Sequence, residues 1–249
     1  MNENILNHYN RLASNYDQFW AYSNEFVSFI SKNIIRYLNL KEDDRLVDLG
    51  CGTGIYSKEI LRQMKLKHKI LCVDISEKML LELHSEKGIT TINHDAIEFT
   101  QKSYKYNKVF IKEMIHHISS KDKSILFDKL YDCLDHNGTL LIIMLPPTID
   151  YPLFKDALKL YQKLQPHYNE IANGLETAGF KVNIDFVEYP LSINKGTYIQ
   201  MVKERYMSLL SNFSDEEIQK GVIEIMDKYK EETDLKFNDR FVFISGLKE

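Results

Sequence analysis

Short apolar runs alternate with amphipathic segments along most of this chain. Phe26, Phe29, Ile30 and Ile34 fall at helical spacing within residues 25–38, and Ser23 is placed to cap that helix. Residues 45–49 read as a short strand that runs into Gly50, and a helix is expected over 55–64. The same alternation then repeats. Residues 69–73 are a strand, and 76–87 a helix capped by Ser76 and ended by Gly88. Residues 89–93 and 108–112 are further strands. A helix over 120–134 is closed by Asn137-Gly138, and 139–145 is a continuously apolar, buried strand stopped by Pro146-Pro147. Two helical stretches, about 152–164 and 166–178, lead to Gly179 and a strand over 181–189. Residues 194–232 look helical, with Ser214-Asp-Glu-Glu as a strong start, and 240–245 form a last strand. Strands alternating with helices predict a parallel sheet covered on both faces. The helical stretch between the last two strands predicts a cap over a ligand mouth, or a packing decoration.

Composition narrows the class. The 249 residues suffice for one large α/β domain, and 44% hydrophobic with 12% aromatic residues can fill its core. The formal net charge of -4 leaves no global basic footprint, so nucleic acid is not the expected partner. Cys51, Cys72 and Cys133 are odd in number with no CxxC spacing, so neither a disulfide framework nor a bound metal is expected. Residues 1–10 lack a secretion-signal layout, and the longest strongly apolar run, 140–145, is far too short to span a bilayer. A cytoplasmic protein with no membrane partner is the expectation.

The chemistry concentrates in Val47-Asp48-Leu49-Gly50-Cys51-Gly52-Thr53-Gly54. A strand feeds a turn with glycine at every second position, and a helix follows. Glycine lets the backbone approach a ligand with no Cβ in the way, and open sheets bind ligands at such strand ends. The spacing is GxGxG and not the GxGxxG suited to a pyrophosphate, and Asp48 would repel a diphosphate while suiting an ammonium group. Asp74 ends the next strand, where a carboxylate can accept two ribose hydroxyls. Asp95 follows the third. Each aspartate taken singly is as well explained by a helix cap or a solvated loop; three at successive strand ends point to a ligand.

These residues resemble the class I S-adenosylmethionine-dependent methyltransferases, in their small-molecule branch, over roughly residues 46–145. The resemblance implies a doubly wound, seven-stranded, mostly parallel sheet (a Rossmann-like methyltransferase fold) whose last strand is antiparallel. On this reading residues 1–249 are a single domain, with a helical N-terminal lid over 1–40 and a helical cap over 194–232. It implies S-adenosylmethionine with its amino group near Asp48 and Gly50, its ribose on Asp74 and its adenine between Ile75 and Asp95. Cys51, Gly52, Ala96 and Lys112 complete that set, with Met79 either beside the adenine or plain core. Residues 8–17 resemble the Tyr-x-x-x-Ala-x-x-Tyr-Asp opening of many small-molecule members, which places Tyr16 over the cofactor and Tyr9 toward the acceptor.

Ile115-His116-His117 sits where some O-methyltransferases carry a histidine base, so His116, or His117 in its place, is the candidate proton acceptor; a satisfied core histidine is the alternative. The Asp-Trp that normally follows in that subfamily is missing here. Pro146-Pro147-Thr148 lacks the amide and the aromatic of a DNA amino-methyltransferase. Tyr198, Met201, Arg205 and Tyr206 in the cap are candidates for the acceptor pocket. The expected function is methyl transfer from S-adenosylmethionine to a small-molecule acceptor, on oxygen or nitrogen, releasing S-adenosylhomocysteine. A tRNA or protein methyltransferase and a non-catalytic S-adenosylmethionine-binding protein are the rivals.

Overall fold

The computed structural model describes residues 23–102 and 104–249. Its strands β1 (Leu46–Leu49), β2 (Ile70–Asp74), β3 (Ile89–Asn93), β4 (Tyr106–Lys112) and β5 (Leu134–Met144) pair in parallel. β6 (Lys181–Asn194) and β7 (Asp234–Leu247) close the sheet, with β7 antiparallel to both β5 and β6. The order β3-β2-β1-β4-β5-β7-β6 is that of a doubly wound sheet, with strand order reversing beside β1.

Helices α1 (Asn24–Leu38), α2 (Ile55–Gln63), α3 (Glu77–Leu81), α4 (Ala96–Thr100), α5 (Ser120–Cys133), α6 (Lys155–Leu164), α7 (Tyr168–Thr177), α8 (Lys195–Lys203) and α9 (Asp215–Lys228) complete the fold. Alternate strand residues feed two cores. Leu46, Phe110, Leu141, Ile143 and Phe243 pack with α1, α2, α6, α8 and α9. Val47, Val109, Ile111, Ile142 and Ile244 pack with α4, α5 and α7. This is the two-sided covering that continuous apolar strands require.

Local chemistry explains the element boundaries. Ser23 accepts the Phe26 N–H at 3.1 Å and starts α1. Ser76 caps α3 through the Met79 N–H. At α9, Ser214 and Glu217 exchange side-chain and backbone bonds in a complete capping box. α1 buries Phe26, Ile30, Ile34 and Leu38 at 1% exposure or less, so residues 24–38 are a core layer of the sheet. The part of the expected N-terminal lid before Ser23 lies outside the described residues. α3 is shorter than its amphipathic pattern suggested, and the unforeseen α4 begins at Asp95.

The late strands also run further than expected. β6 and β7 pair over their whole length, from Lys181↔Leu247 to Asn194↔Asp234, whereas β7 leaves β5 at Met144↔Val242. The two strands therefore overshoot the C-terminal edge of the parallel sheet as a ribbon. Along the overshoot Leu235, Phe237, Asp239 and Phe241 are buried while Lys236, Asn238 and Arg240 are exposed. The cap, α8 to α9, is spliced between these strands and packs on the ribbon's buried face. No helix among the described residues is long and apolar enough to cross a membrane.

Gly221 sets how closely α9 approaches the start of α6. A Cβ there would lie 2.4 Å from the Phe154 ring. Helix propensity alone favours alanine by about 1 kcal/mol, but overpacking a core contact costs about 1–3 kcal/mol. Gly221→Ala is therefore expected to destabilise the protein in urea unfolding, and a raised midpoint would show that the cap is loosely seated.

Candidate active site

The chain turns sharply at the end of β1. Gly50, Gly52 and Gly54 have φ of 80°, 54° and 67°, the left-handed region that suits glycine. The Gly50 and Cys51 N–H groups both donate to the Val73 carbonyl, at 2.8 and 3.1 Å. The Asp74 carboxylate spans the crevice, accepting the Gly52 N–H at 2.9 Å on one oxygen and the Ser76 N–H at 2.8 Å on the other. The glycines differ in what surrounds them. A Cβ on Gly50 would strike Met114 at 2.6 Å and one on Gly54 would strike Leu83 at 2.5 Å, while none of the described residues lies within 4 Å of a Cβ on Gly52. Among the described residues, Gly52 thus has free space beside it above the strand ends. Gly54 starts α2 without a side-chain cap, leaving that helix end's backbone N–H groups facing the turn.

Asp48 is 3% exposed and accepts the Ser57 hydroxyl at 2.7 Å. Burial pushes its carboxyl up to about 7, with the Ser57 bond and Lys112 pulling the other way. Burial likewise raises Asp74 against its three backbone bonds. A buried carboxylate held by so few donors is suited to a cation. Asp95 accepts the Ile97 N–H at 2.9 Å and caps α4, which is the local role weighed for it. Asn93 donates to the Asp74 and Ile75 carbonyls and fixes the loop after β2. Ile75 is half-buried, whereas Met79 and Ala96 are 1% and 9% exposed. Met79 packs as core. Cys51 lies in the turn, and burial beside Cys72 keeps its thiol protonated.

The end of β4 carries the other half of the site. Lys112 places its ammonium 4.8 Å from the Tyr56 ring centre and 4.7 Å from that of Phe241. Burial opposes its charge, but Tyr56, Glu113 and Asp239 outweigh that and hold it above its ordinary range. Glu113 adopts a φ of 54° and accepts the Leu145 N–H at 2.7 Å. The 3-10 turn Ile115–His117 then brings the His116 and His117 rings to 4.0 Å. His116 Nδ1 is buried with no partner among the described residues, and burial, with His117 and Lys123 nearby, holds that imidazole well below its usual pKa. It is a neutral ring with one unmatched nitrogen.

Sequence reasoning found this rim but missed Asp239. It sits in the apolar alternation of β7 at 0% exposure, accepts the Tyr151 hydroxyl at 2.8 Å through Oδ1, and leaves Oδ2 unmatched among the described residues. The signal was present, since an aspartate occupies the buried phase between Phe237 and Phe241. Reading it needed the length of β7. Of the cap candidates, Tyr198 and Tyr206 are fully buried with hydroxyls 3.0 Å apart, and Met201 is buried beside them. Arg205 is a correction. Its guanidinium donates to the Phe213 carbonyl at 3.1 Å and pairs with Asp215 at 2.7 Å, so it ties α8 to the start of α9 and is not a pocket group. Tyr9 and Tyr16 lie outside the described residues. Among the described residues no cluster of three or more His, Cys, Asp or Glu could hold a metal ion.

A family model described as a methyltransferase domain matches residues 46–138. A carboxy-S-adenosyl-L-methionine synthase of Helicobacter pylori (strain HPAG1) is 26% identical over 173 residues, covering 64% of this chain and 72% of that protein. The solved structure of Haemonchus contortus phosphoethanolamine N-methyltransferase 2 with S-adenosyl-L-methionine is 20% identical with a TM-score of 0.61, covering 96% of this chain and 57% of that one. A SAM-dependent methyltransferase from Archaeoglobus fulgidus is 20% identical with a TM-score of 0.58, covering 90% and 94%. At such identities the structural likenesses establish the fold.

The glycine turn yields a contrast. Gly50→Ala forces a clash with Met114, and about 2 kcal/mol or more of stability should be lost. Gly52→Ala bears only left-handed strain, about 1 kcal/mol. Denaturant unfolding of both variants checks this, and equal losses would mean that the space above Gly52 is filled.

The raised carboxyls make stability pH-dependent. Asp48 and Asp239 sit at about 7 in the folded chain against an ordinary 3.8. The folded state binds more protons than the unfolded one between those values. Their contribution is complete below about 3.8 and lost as pH rises through about 7. His116, with a lowered value, acts in the opposite sense and only at pH values near and below the ordinary histidine range. The protein should therefore melt lower at pH 8 than at pH 6.5. The Asp48→Asn, Asp239→Asn double variant should show a smaller drop, measured by calorimetry.

Proposed function

We propose that this chain is a class I S-adenosylmethionine-dependent methyltransferase that methylates a small-molecule acceptor on oxygen or nitrogen, a reading supported by the methyltransferase-domain match over residues 46–138. The observation that carries the reading is that no described residue fills the space at Gly52, beside the half-buried Asp74 and the buried Asp48 of β1. That cradle fits the cofactor on chemical grounds. Asp48 would hold its ammonium group, and the uncapped start of α2 would face its carboxylate. Asp74 takes three backbone N–H bonds on its two oxygens and keeps the remaining acceptor capacity for a ribose hydroxyl. Ile75, Asp95 and Ala96 flank the place for the adenine, and Lys112 with Tyr56 forms the wall toward the acceptor. When bound, S-adenosylmethionine supplies a methyl group already activated on a sulfonium.

The chain's own task is then alignment and exclusion of water. A base is needed where the acceptor must shed a proton, and His116, with its neutral ring and unmatched Nδ1, is suited to a hydroxyl acceptor. A small-molecule acceptor accords with the chain's net charge of -4 and with the buried, tyrosine-lined cap. The H. contortus neighbour is named for phosphoethanolamine and the H. pylori relative for a carboxylated S-adenosylmethionine. Neither name extends beyond a small-molecule substrate here.

S-adenosylhomocysteine should raise the melting temperature while NAD does not, because only a ligand of the folded state stabilises it. Pairing an ammonium with Asp48 favours the ionised carboxylate, so binding near pH 7 should release protons and weaken as pH falls. Calorimetry in buffers of different ionisation enthalpy reads both, and tight NAD binding with no response to S-adenosylhomocysteine would end this reading.

Once an acceptor is in hand, His116→Ala should slow single-turnover methyl transfer about a hundredfold with cofactor affinity kept. Normal rates in His116→Ala, His117→Ala and the double variant would exclude a histidine base.

A further inference from the structure

Beyond the end of β5 the buried face of the β6–β7 ribbon carries polar groups where the alternation of β7 calls for apolar ones. Asp239 stands three residues past Val242, the last residue of β7 paired with β5. It therefore projects beyond the same C-terminal edge at which Asp74 and Lys112 end their strands and near which Asp48 lies. Tyr206 of the cap and Tyr161 of α6 belong to the adjoining core and lie close enough to Asp239 to feel its charge. Two atoms in this cluster are buried without a partner among the described residues, Asp239 Oδ2 and Tyr161 Oη, and their residues are 0% and 6% exposed. Leaving such atoms unmatched is costly, and native structures seldom tolerate it without a water, an ion or a ligand.

The chemistry of the cluster favours a cationic donor. An ionised carboxylate oxygen can only accept, so Asp239 Oδ2 calls for an N–H or O–H. Glu113 and Asp239 both lie near enough to Tyr161 and Lys112 to influence their ionisation. Against these two carboxylates the cluster sets one cation among the described residues, Lys112, already lodged between Tyr56 and Phe241. An amino group brings up to three N–H donors and the missing positive charge. Aromatic walls add a further attraction for an ammonium. A hydroxyl would satisfy one atom and leave the charge uncompensated.

We propose that Asp239 Oδ2 and Tyr161 Oη form the recognition site for an amino group of the acceptor, which makes the substrate class a small amine. This rests on the methyltransferase reading, since it assigns the acceptor side of the same crevice. Tyr151 keeps Asp239 oriented through Oδ1 and leaves Oδ2 to the ligand.

The test uses the full chain saturated with S-adenosylhomocysteine. It is titrated with isobutylammonium, isobutanol and isobutyrate, which share a shape and differ in charge, and binding is read by NMR of labelled tyrosine rings. Isobutylammonium is expected to bind at least tenfold more tightly than the other two. Asp239→Asn should abolish that preference, and Tyr161→Phe should weaken it without altering affinity for S-adenosylhomocysteine. Tyr161→Phe removes only a hydroxyl, so it serves if Asp239→Asn does not fold. Equal binding of the three probes, no binding of isobutylammonium, or a preference that survives in the variants would overturn the proposal. A crystal structure with a single ordered water bridging Asp239 and Tyr161, unmoved by isobutylammonium, would do the same. Failure of S-adenosylhomocysteine to bind would instead strike the reading of the crevice as a methyltransferase site.

Discussion

The bond from the Gly52 N–H to the Asp74 carboxylate, 2.9 Å long, joins the first two strands at the place where the chain must turn out of the sheet. Three residues there adopt left-handed backbone, and the Val73 carbonyl holds two of the turn's N–H groups. A loop of that curvature exposes backbone donors that would otherwise need water. Asp74 satisfies one of them and, through Ser76, also starts the helix after β2. The carboxylate is therefore a brace for the turn and, on the proposed reading, also an acceptor for a ligand. The crevice exists because the brace holds the turn open.

Opposed constraints meet along the sheet's C-terminal edge. The strands are buried on both faces, which favours apolar side chains. Yet Asp48, Lys112, Glu113 and Asp239 are placed at or beyond their ends. Burial pushes Asp48 and Asp239 to about 7, while Lys112 stays protonated through its neighbours. Such groups weaken the folded chain at neutral pH and are matched only when a partner of the right charge arrives. Buried carboxyls with few donors, on a rigid sheet, are a common signature of a binding crevice.

The cap belongs to the same design. β6 and β7 overshoot the parallel strands, so the segment between them must fold back, and α8 and α9 lie over the overshoot. Gly221 lets α9 settle against Phe154, and Arg205 with Asp215 ties the end of α8 to the start of α9. The tyrosines close to Asp239 are thus held by packing at some distance from the cofactor cradle.

Most of the fold was legible in the sequence because its signals are local. Ser23, Ser76 and Ser214 cap helices through neighbours three residues on, and the alternation of apolar runs with amphipathic segments marks strands and helices. The GxGxG turn declared itself because its left-handed backbone admits little besides glycine, and Asp48 and Asp74 followed from their place at strand ends. Tertiary structure decided what depends on partners far apart in the chain. β7 is fourteen residues long because β6 lies beside it throughout. Arg205 is a tie because Asp215 and the Phe213 carbonyl meet its guanidinium, which its own sequence context does not reveal. Asp239 is in the core because the ribbon turns its buried phase toward the cap. A side chain's burial and its hydrogen-bond partners are set by which surfaces meet, and only the assembled sheet brings those surfaces together.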